Sequence, residues 1–200
     1  MSLQRQDKPK TSRSKKQDWT LEQYFDHEYK VEGRHEFLNG EIRAMAYTSV
    51  VHGELITNIL KQLFKCSGFD KCKIFTSDRM LYAKDCNKIF YPDLQIICEE
   101  HQTFDYKGKM QATLNPSVLI EITSPSTESE DRIDKWACYK SIKSLNQYLI
   151  VSHRKKSVEI FNRLDEGNKW LNTEITKDED YVEVGDCKIL LKDIYNDITL

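Results

Sequence analysis

Apolar residues recur along this chain with two different periods, and the succession of these periods predicts both helices and strands. Every third or fourth residue is apolar from about 20 to 29 and from about 52 to 65, which predicts two amphipathic helices. Thr20 opens the first with a capping-box pattern, and Ser49 is placed to cap the second. Asn39-Gly40 between two short strand-like runs predicts a β-hairpin.

Short runs of apolar and β-branched residues predict the remaining strands. Two runs, Ile89 to Cys98 and Ser117 to Thr123, are almost continuously apolar, as expected of strands buried on both faces. His101 to Asn115, between them, is polar and has no clear period, so we predict a loop there. The other predicted strands are Lys73 to Thr76, Met80 to Ala83, Gln147 to Ser152, Ser157 to Arg163, and a last hairpin pairing Trp170 to Thr176 with Cys187 to Leu191.

A third helix is predicted from about Glu130 to Ile142. Its packed side is expected to hold Ile133, Trp136, Ala137 and Lys140. The helix would join the strand ending at Thr123 to the strand beginning at Gln147, so these strands are expected to be parallel neighbours. The complete order of elements predicts an α/β domain with a mixed sheet.

Length and charge indicate one domain behind a basic tail. Two hundred residues with 39% hydrophobic content suffice for one sizeable core, and no linker-like stretch divides the chain after residue 17. Residues 1–17 hold six Lys and Arg residues against one Asp, a formal charge of +5, which leaves −7 for residues 18–200 because the whole chain carries −2. We predict a disordered tail over 1–17 and a single domain over 18–200.

The spacing of the cysteines and the lack of a recognisable targeting signal predict a cytoplasmic protein. The tail lacks the apolar centre of a secretory signal, and no run approaches the roughly 18 to 20 apolar residues of a membrane-spanning helix. The six cysteines are scattered and include no CxxC pair for zinc. Reduced, mostly buried thiols and no membrane partner are therefore expected.

Each of the two apolar strands carries one carboxylate. Asp93 follows Pro92 in the first, and Glu121 lies between Ile120 and Ile122 in the second. A buried carboxylate is costly unless a cation or a proton offsets its charge, so this pair indicates a metal site. Carboxylate oxygens suit Mg²⁺ or Mn²⁺.

A lysine follows on the third predicted helix. Asp131, Lys135 and Tyr139 recur every four residues and share one helical face beside the apolar side. An ammonium group next to two carboxylates is what metal-dependent phosphodiester cleavage needs, because it can steer a water molecule or offset developing charge. Spacing alone favours an ordinary surface ion pair between Asp131 and Lys135.

Taken together and in order, these residues resemble the Uma2 family of restriction endonuclease-like proteins, within the PD-(D/E)XK nuclease superfamily. The segments that carry the resemblance are Pro92-Asp93, Glu121 to Thr127, Asp131, Lys135, Tyr139, Gln147 to Val151, Arg34 to Ile42 and His52. The resemblance covers roughly Trp19 to Arg163. It implies a restriction endonuclease-like fold, in which helices flank a mixed β-sheet, here with extra β-hairpins.

The resemblance also implies roles by position. Asp93, Glu121 and the Ile122 carbonyl would bind the metal. Lys135 would be the catalytic lysine, and Glu36 a further acidic member able to recruit a second cation. The implied supporting residues are His52, Asp131 and Tyr139. On the sequence alone, Glu36 also fits a solvated hairpin residue, and His52 a capping residue.

One position departs from the superfamily pattern. Thr123 stands two residues after Glu121, where the superfamily has a lysine on the same strand face, and a threonine supplies no charge. Either Lys135 takes that part from the following helix, or the site has no lysine and is inactive.

The sequence therefore predicts a Mg²⁺- or Mn²⁺-dependent endodeoxyribonuclease that hydrolyses phosphodiester bonds. DNA is the expected partner, with the basic tail and the turn His153 to Lys156 contacting phosphates. A homodimer is expected by analogy with nucleases that cut both strands. Two alternatives stay open: a noncatalytic nucleic-acid or partner-binding module on a nuclease scaffold, and a carboxylate metallohydrolase acting on a small phosphoester.

Overall fold

The computed structural model describes residues 18–123, 131–164 and 169–200, without the side chains of residues 131 and 132. The predicted tail over 1–17 and Ser124 to Thr127 lie outside the described residues. None of the described helices is both long and apolar enough to cross a membrane. In chain order the helices and strands are α1 (Leu21–Glu28), β1 (His35–Leu38), β2 (Glu41–Ala44), α2 (Val50–Leu63), β3 (Lys73–Thr76), β4 (Leu81–Ala83), β5 (Lys88–Phe90), β6 (Leu94–Ile97), β7 (Thr103–Tyr106), β8 (Met110–Thr113), β9 (Val118–Thr123), α3 (Trp136–Tyr139), β10 (Gln147–Ser152), β11 (Val158–Arg163), β12 (Trp170–Ile175), β13 (Tyr181–Val184), β14 (Cys187–Leu190) and α4 (Leu191–Ile194).

The local signals near the amino terminus are confirmed. Thr20 and Gln23 form the predicted capping box, in which each side chain accepts a hydrogen bond from the other's backbone N–H, at 3.1 and 2.9 Å. The Oγ of Ser49 accepts from the N–H of His52 at 3.2 Å and so starts α2. β1 and β2 form the predicted hairpin, and Asn39-Gly40 turns it with φ angles of 53° and 91°.

The described strands form two six-stranded sheets and one two-stranded sheet. The first sheet has the order β2-β1-β5-β4-β8-β7, and the second has the order β12-β11-β10-β9-β6-β3. Both sheets are mixed, because β4 is parallel to β8 in the first and β9 is parallel to β10 in the second. The β9–β10 pair confirms the predicted parallel neighbours.

The second sheet is covered on both faces, and this determines which way its carboxylates point. One face packs against α2 and α4, with Leu94 and Ile120 in that core. The other face packs against α3 and the first sheet, with Leu119 and Tyr148 in a second core. Because side chains alternate along a strand, Glu121, between Ile120 and Ile122, lies on the α3 face. Asp93 precedes β6 and is contacted by His52 of α2.

The strand predicted from Ile89 to Cys98 is two strands in different sheets. β5 ends at Phe90 in the first sheet and β6 begins at Leu94 in the second, so the prediction of one strand is wrong. Pro92 lies in the connection, where the lack of a backbone N–H costs no ladder hydrogen bond. Asp93 therefore lies at the junction of the two sheets.

Two other strand predictions are wrong. His101 to Asn115 is not a loop, because β7 and β8 form a hairpin that turns at Lys107-Gly108 with φ angles of 53° and 68°. Its polar character reflects the edge position of β7 in the first sheet. The last predicted hairpin is also wrong, since β12 pairs with β11 and β14 pairs with β13.

The helix predicted from Glu130 to Ile142 is wound differently where it is described. Asp131–Lys135 forms a π-helical turn, which leads into α3. The extra residue in such a turn rotates the preceding side chains relative to an α-helical pattern. The predicted packed side is wrong except for Trp136, which packs against the core, because Ile133 is 66% exposed and Ala137 and Lys140 are exposed too. The buried side consists of Lys135, Cys138 and Tyr139.

All six cysteines are paired, so the prediction of reduced thiols is wrong. The disulfides are Cys66–Cys187, Cys72–Cys98 and Cys86–Cys138. Their partners are 26 to 121 residues apart in sequence, so the pairing follows from the fold and not from spacing. The Cys86–Cys138 disulfide ties α3 to the connection between β4 and β5. A cytoplasmic location stays a prediction.

Candidate active site

Asp93, directly before β6, lies opposite Glu121 on the neighbouring strand β9. The antiparallel register of β6 and β9 pairs Leu94 with Ile120, which places Asp93 opposite Glu121 one step further along. Both carboxylates are buried, with residue exposures of 7% and 3%. The backbone N–H of Ile122 donates to Oδ2 of Asp93 at 2.7 Å and thereby fixes this carboxylate to β9.

Lys135 reaches Glu121 and Glu36 from the π-helical turn. Its Nζ lies 3.1 Å from Oε1 of Glu121 and 3.8 Å from Oε1 of Glu36. Lys135 itself is only 9% exposed, so its ammonium is directed into the protein and not toward solvent. Glu36, Glu121 and Lys135, which the sequence analysis identified as candidate site residues, are thus brought together.

Tyr139 completes the arrangement around Glu121. Its hydroxyl donates to Oε1 of Glu121 at 2.8 Å, the same oxygen that Lys135 contacts. Burial first, and then the charge of Glu121, raises the pKa of the Tyr139 phenol well above its ordinary value of 10.0. Tyr139 therefore remains a hydrogen-bond donor at every pH at which the protein would work.

His52 contacts Asp93 from the opposite side. Its Nε2 lies 3.0 Å from Oδ2 of Asp93, and the residue is buried in the first turn of α2. The position at a helix start is as predicted, but the side chain is directed at a carboxylate. Glu36 is buried on β1, at 6% exposure, which is unlike a solvated hairpin residue. The side chain of Asp131 lies outside the described part of the chain.

Similarity to known proteins assigns the family. A family model described as "Uma2: Putative restriction endonuclease" matches residues 21–187. The chain belongs to the Uma2 family. Among its relatives is the Synechocystis sp. protein named "Uncharacterized protein sll1609", which is 30% identical over 170 residues, or 85% of this chain and 94% of that protein. A second Synechocystis protein, "Uncharacterized protein slr1290", is 30% identical over 152 residues, or 75% of this chain and 76% of the relative.

The fold of this Uma2 protein has a solved counterpart. It is similar to a crystal structure from Anabaena variabilis that is described as a "putative nuclease belonging to DUF820". The TM-score is 0.64 at 13% sequence identity, and the match covers 82% of this chain and 91% of the other. The restriction endonuclease-like α/β fold that the sequence resemblance implied is therefore confirmed.

Thr123, the departure from the superfamily pattern, is accommodated within the sheet of the Uma2 protein. It is 4% exposed, and its Oγ1 donates to the carbonyl of Val151 on β10 at 3.4 Å. A lysine in place of Thr123 would have to extend its side chain from this buried position in the sheet. Lys135 instead brings an ammonium to Glu121 from a different element.

The residues fit a hard divalent cation by their donor chemistry, although their contacts are with one another. Asp93 and Glu121 supply carboxylate oxygens, the ligands that Mg²⁺ and Mn²⁺ prefer. Among the residues that the structure describes, Oδ1 of Asp93 has no hydrogen-bond donor. Within that same part of the chain, no three His, Cys, Asp or Glu side chains are gathered as a metal centre.

Glu28 supports the site but was not predicted. It is the last residue of α1, and its carboxylate accepts from the N–H of His35 at 2.9 Å and from the hydroxyl of Tyr91 at 2.7 Å. Its second oxygen lies 2.9 Å from Nδ1 of His35. His35 directly precedes Glu36, and Tyr91 lies two residues before Asp93. No sequence pattern distinguishes such a buried acid from the exposed acids of an amphipathic helix.

Two lysines of the basic turn that was predicted to contact phosphates form ion pairs with acids. Nζ of Lys155 lies 2.9 Å from Glu174, and Nζ of Lys156 lies 2.9 Å from Asp178. These exposed ion pairs offset the positive charge of the turn. Contact of the turn with DNA phosphates stays a prediction.

Proposed function

We propose that this Uma2 protein is a divalent-metal-dependent DNA endonuclease whose catalytic lysine comes from the π-helical turn. The observation that carries the proposal is the 3.1 Å contact between Nζ of Lys135 and Oε1 of Glu121. It supports a complete set of nuclease side chains despite Thr123. Membership of a restriction endonuclease-like family and the nuclease-like fold support the same reaction class.

The residues would divide the work as follows. Asp93 and Glu121 would hold the cation, with Glu36 near enough to Lys135 to share its charge. When bound, a hard divalent cation would polarise a phosphoryl oxygen and lower the pKa of a coordinated water molecule. Lys135 would orient the attacking water and offset the charge that develops on the phosphate.

Three donors would keep the ligands in place during this chemistry. Tyr139 would hold the Glu121 carboxylate, since its phenol stays protonated. The Ile122 N–H and His52 would hold Asp93. The predicted ligation by the Ile122 carbonyl remains part of the proposal.

Plasmid nicking tests the proposal directly. The wild-type protein should convert supercoiled plasmid to open circles with Mg²⁺ or Mn²⁺ and not with EDTA. Lys135→Ala should lower the rate by at least about 100-fold, which is the lower end of what a positioned acid-base or electrostatic group contributes. Lys140→Ala, an exposed lysine just after α3, is the matched control and should retain activity. Equal rates for Lys135→Ala and the wild type would refute the role of Lys135.

A noncatalytic DNA-binding module is the second candidate. It is favoured by one observation: Lys135 and Tyr139 both occupy Oε1 of Glu121, and no three-ligand cluster exists among the described residues. Calorimetric titration with Mn²⁺ separates the two functions. The nuclease should bind Mn²⁺ and lose that binding in Asp93→Asn and Glu121→Gln, whereas the module should bind DNA equally well in EDTA. A homodimer also stays a prediction, which sedimentation with and without DNA would test.

A further inference from the structure

The edge strand β3 lies next to β6, the strand that begins directly after Asp93. Its register pairs Phe75 with Gln95 on β6. Ile74 packs with the α2 core, so Lys73 and Phe75 lie on the opposite face of the strand. This is the face of the second sheet to which Gln95 belongs. β3 is therefore one strand away from the segment that carries Asp93, a proposed metal ligand.

Arg79 and His101 extend the surface above Phe75. The guanidinium carbon of Arg79 lies 5.5 Å from the centroid of the Phe75 ring, and the His101 ring lies 5.2 Å from it. Nε of Arg79 donates to Oγ1 of Thr113 at 3.4 Å, and Nε2 of His101 lies 3.1 Å from the same oxygen. We refer to Lys73, Phe75, Arg79 and His101 as the β3 ledge.

The cations of the β3 ledge have no acidic partners among the described residues. Neither Lys73 nor Arg79 forms an ion pair there, in contrast to Lys155 and Lys156. Burial lowers the pKa of His101, and the charges of Arg79 and Lys73 lower it further. A concentration of positive charge is unusual in a domain whose formal charge is −7, and it is the charge that a phosphate backbone needs.

We propose that the β3 ledge binds the phosphate backbone of the DNA strand that enters the active site. The inference rests on the proposed nuclease function, because it specifies where the substrate lies. Lys73 and Arg79 each contact a phosphate, and the Phe75 ring holds the guanidinium of Arg79 in place by a cation–π contact. His101 fixes the same geometry through Thr113.

The test measures binding without cleavage. Fluorescence anisotropy follows a labelled duplex with the full chain in EDTA, between about 50 and 200 mM salt. Lys73→Ala combined with Arg79→Gln should weaken binding at the lower salt, and should reduce the slope of log K against log salt by about 1.8, from 0.9 per lost phosphate contact. Lys155→Ala combined with Lys156→Ala removes the same formal charge from paired lysines and should change the slope by less than about 0.5.

A second variant guards against misfolding. Lys73 is exposed, so Lys73→Glu leaves the fold intact and should still weaken DNA binding. Thermal melts of this variant and of the wild type check that the fold is intact. Equal salt slopes in the ledge and control variants would overturn the β3 ledge. If the protein does not nick plasmid while the ledge variants lose DNA affinity, the proposed nuclease function is wrong and DNA binding by the β3 ledge is confirmed. If the protein nicks plasmid and the ledge variants bind DNA normally, only the proposed DNA binding by the β3 ledge is wrong.

Discussion

Nε2 of His52 lies 3.0 Å from Oδ2 of Asp93, and this contact joins the first turn of α2 to a proposed metal ligand. The other ring nitrogen, Nδ1, is buried without a hydrogen-bond partner in the described part of the chain. A buried N–H without an acceptor is rarer than an acceptor without a donor, so in the neutral form of the ring the proton lies on Nε2. His52 then donates to Asp93 and sets the direction of its free oxygen.

Replacing His52 should weaken metal binding through Asp93. His52→Leu removes the donor and should lower Mn²⁺ affinity by about 10- to 100-fold, as for other partners of metal ligands. His52→Gln keeps an N–H near Oδ2 and should recover most of that loss. Calorimetric titration with Mn²⁺ measures both. If the two variants bind Mn²⁺ alike, His52 does not act by donating to Asp93.

The elements that depend on local chemistry were predictable from the sequence. The capping box at Thr20 and the Asn39-Gly40 turn involve neighbours in the chain, so residue types alone specify them. The direction of Glu121, away from the core that holds Ile120 and Ile122, follows from the two-residue period of a strand. The family resemblance supplied Lys135, since spacing alone favoured a surface ion pair.

The features that were missed depend on contacts between distant residues. A π-helical turn leaves no signature in apolar spacing, so Ile133 was wrongly predicted to be packed. The break at Pro92 between two sheets looks like one continuous apolar strand, because both halves are buried. The disulfides join cysteines that the chain separates by 26 residues or more, and only the folded topology brings them together.

Stability should fall above pH 10. Burial is the main cause that raises the pKa of Tyr24, Tyr91, Tyr139 and Tyr195 above the ordinary value of 10.0. Above that pH the unfolded chain binds fewer protons than the folded protein, so the free energy of unfolding decreases as pH rises. Each such phenol steepens the decrease by up to about 1.4 kcal/mol per pH unit.

Urea unfolding at about pH 9 to 11 measures this slope. Tyr195→Phe removes one buried phenol and should flatten the slope, whereas Tyr47→Phe, at a fully exposed position, should not. Equal slopes of the free energy of unfolding against pH in the wild type, Tyr195→Phe and Tyr47→Phe would show that the buried phenols do not govern alkaline unfolding.

Glu28→Gln should destabilise the protein and disturb the site together. The carboxylate accepts from the His35 N–H and the Tyr91 hydroxyl and pairs with the His35 ring, and an amide cannot accept on both ends. We expect a loss of about 1–3 kcal/mol in the free energy of unfolding, with weaker Mn²⁺ binding. Glu22→Gln, on the exposed face of the same helix, should cost no more than about 0.5 kcal/mol. A Glu28→Gln protein as stable as Glu22→Gln would contradict the role of this carboxylate as a buried anchor.

The Cys86–Cys138 disulfide should matter more for the active site than a disulfide elsewhere. Cys138 lies between Lys135 and Tyr139, both of which contact Glu121, so the crosslink holds their backbone against the first sheet. Paired serine variants of Cys86–Cys138 and of Cys72–Cys98 should each lower the free energy of unfolding by about 2–4 kcal/mol, since each opens a long loop. Only the first pair should also slow Mg²⁺-dependent nicking of plasmid under conditions where both proteins are folded. Thiol labelling of the unfolded wild-type chain should find no reactive cysteine before reduction. Labelled thiols before reduction would contradict the disulfides. Equal nicking by both serine variants would show that Cys86–Cys138 does not support the proposed catalytic residues.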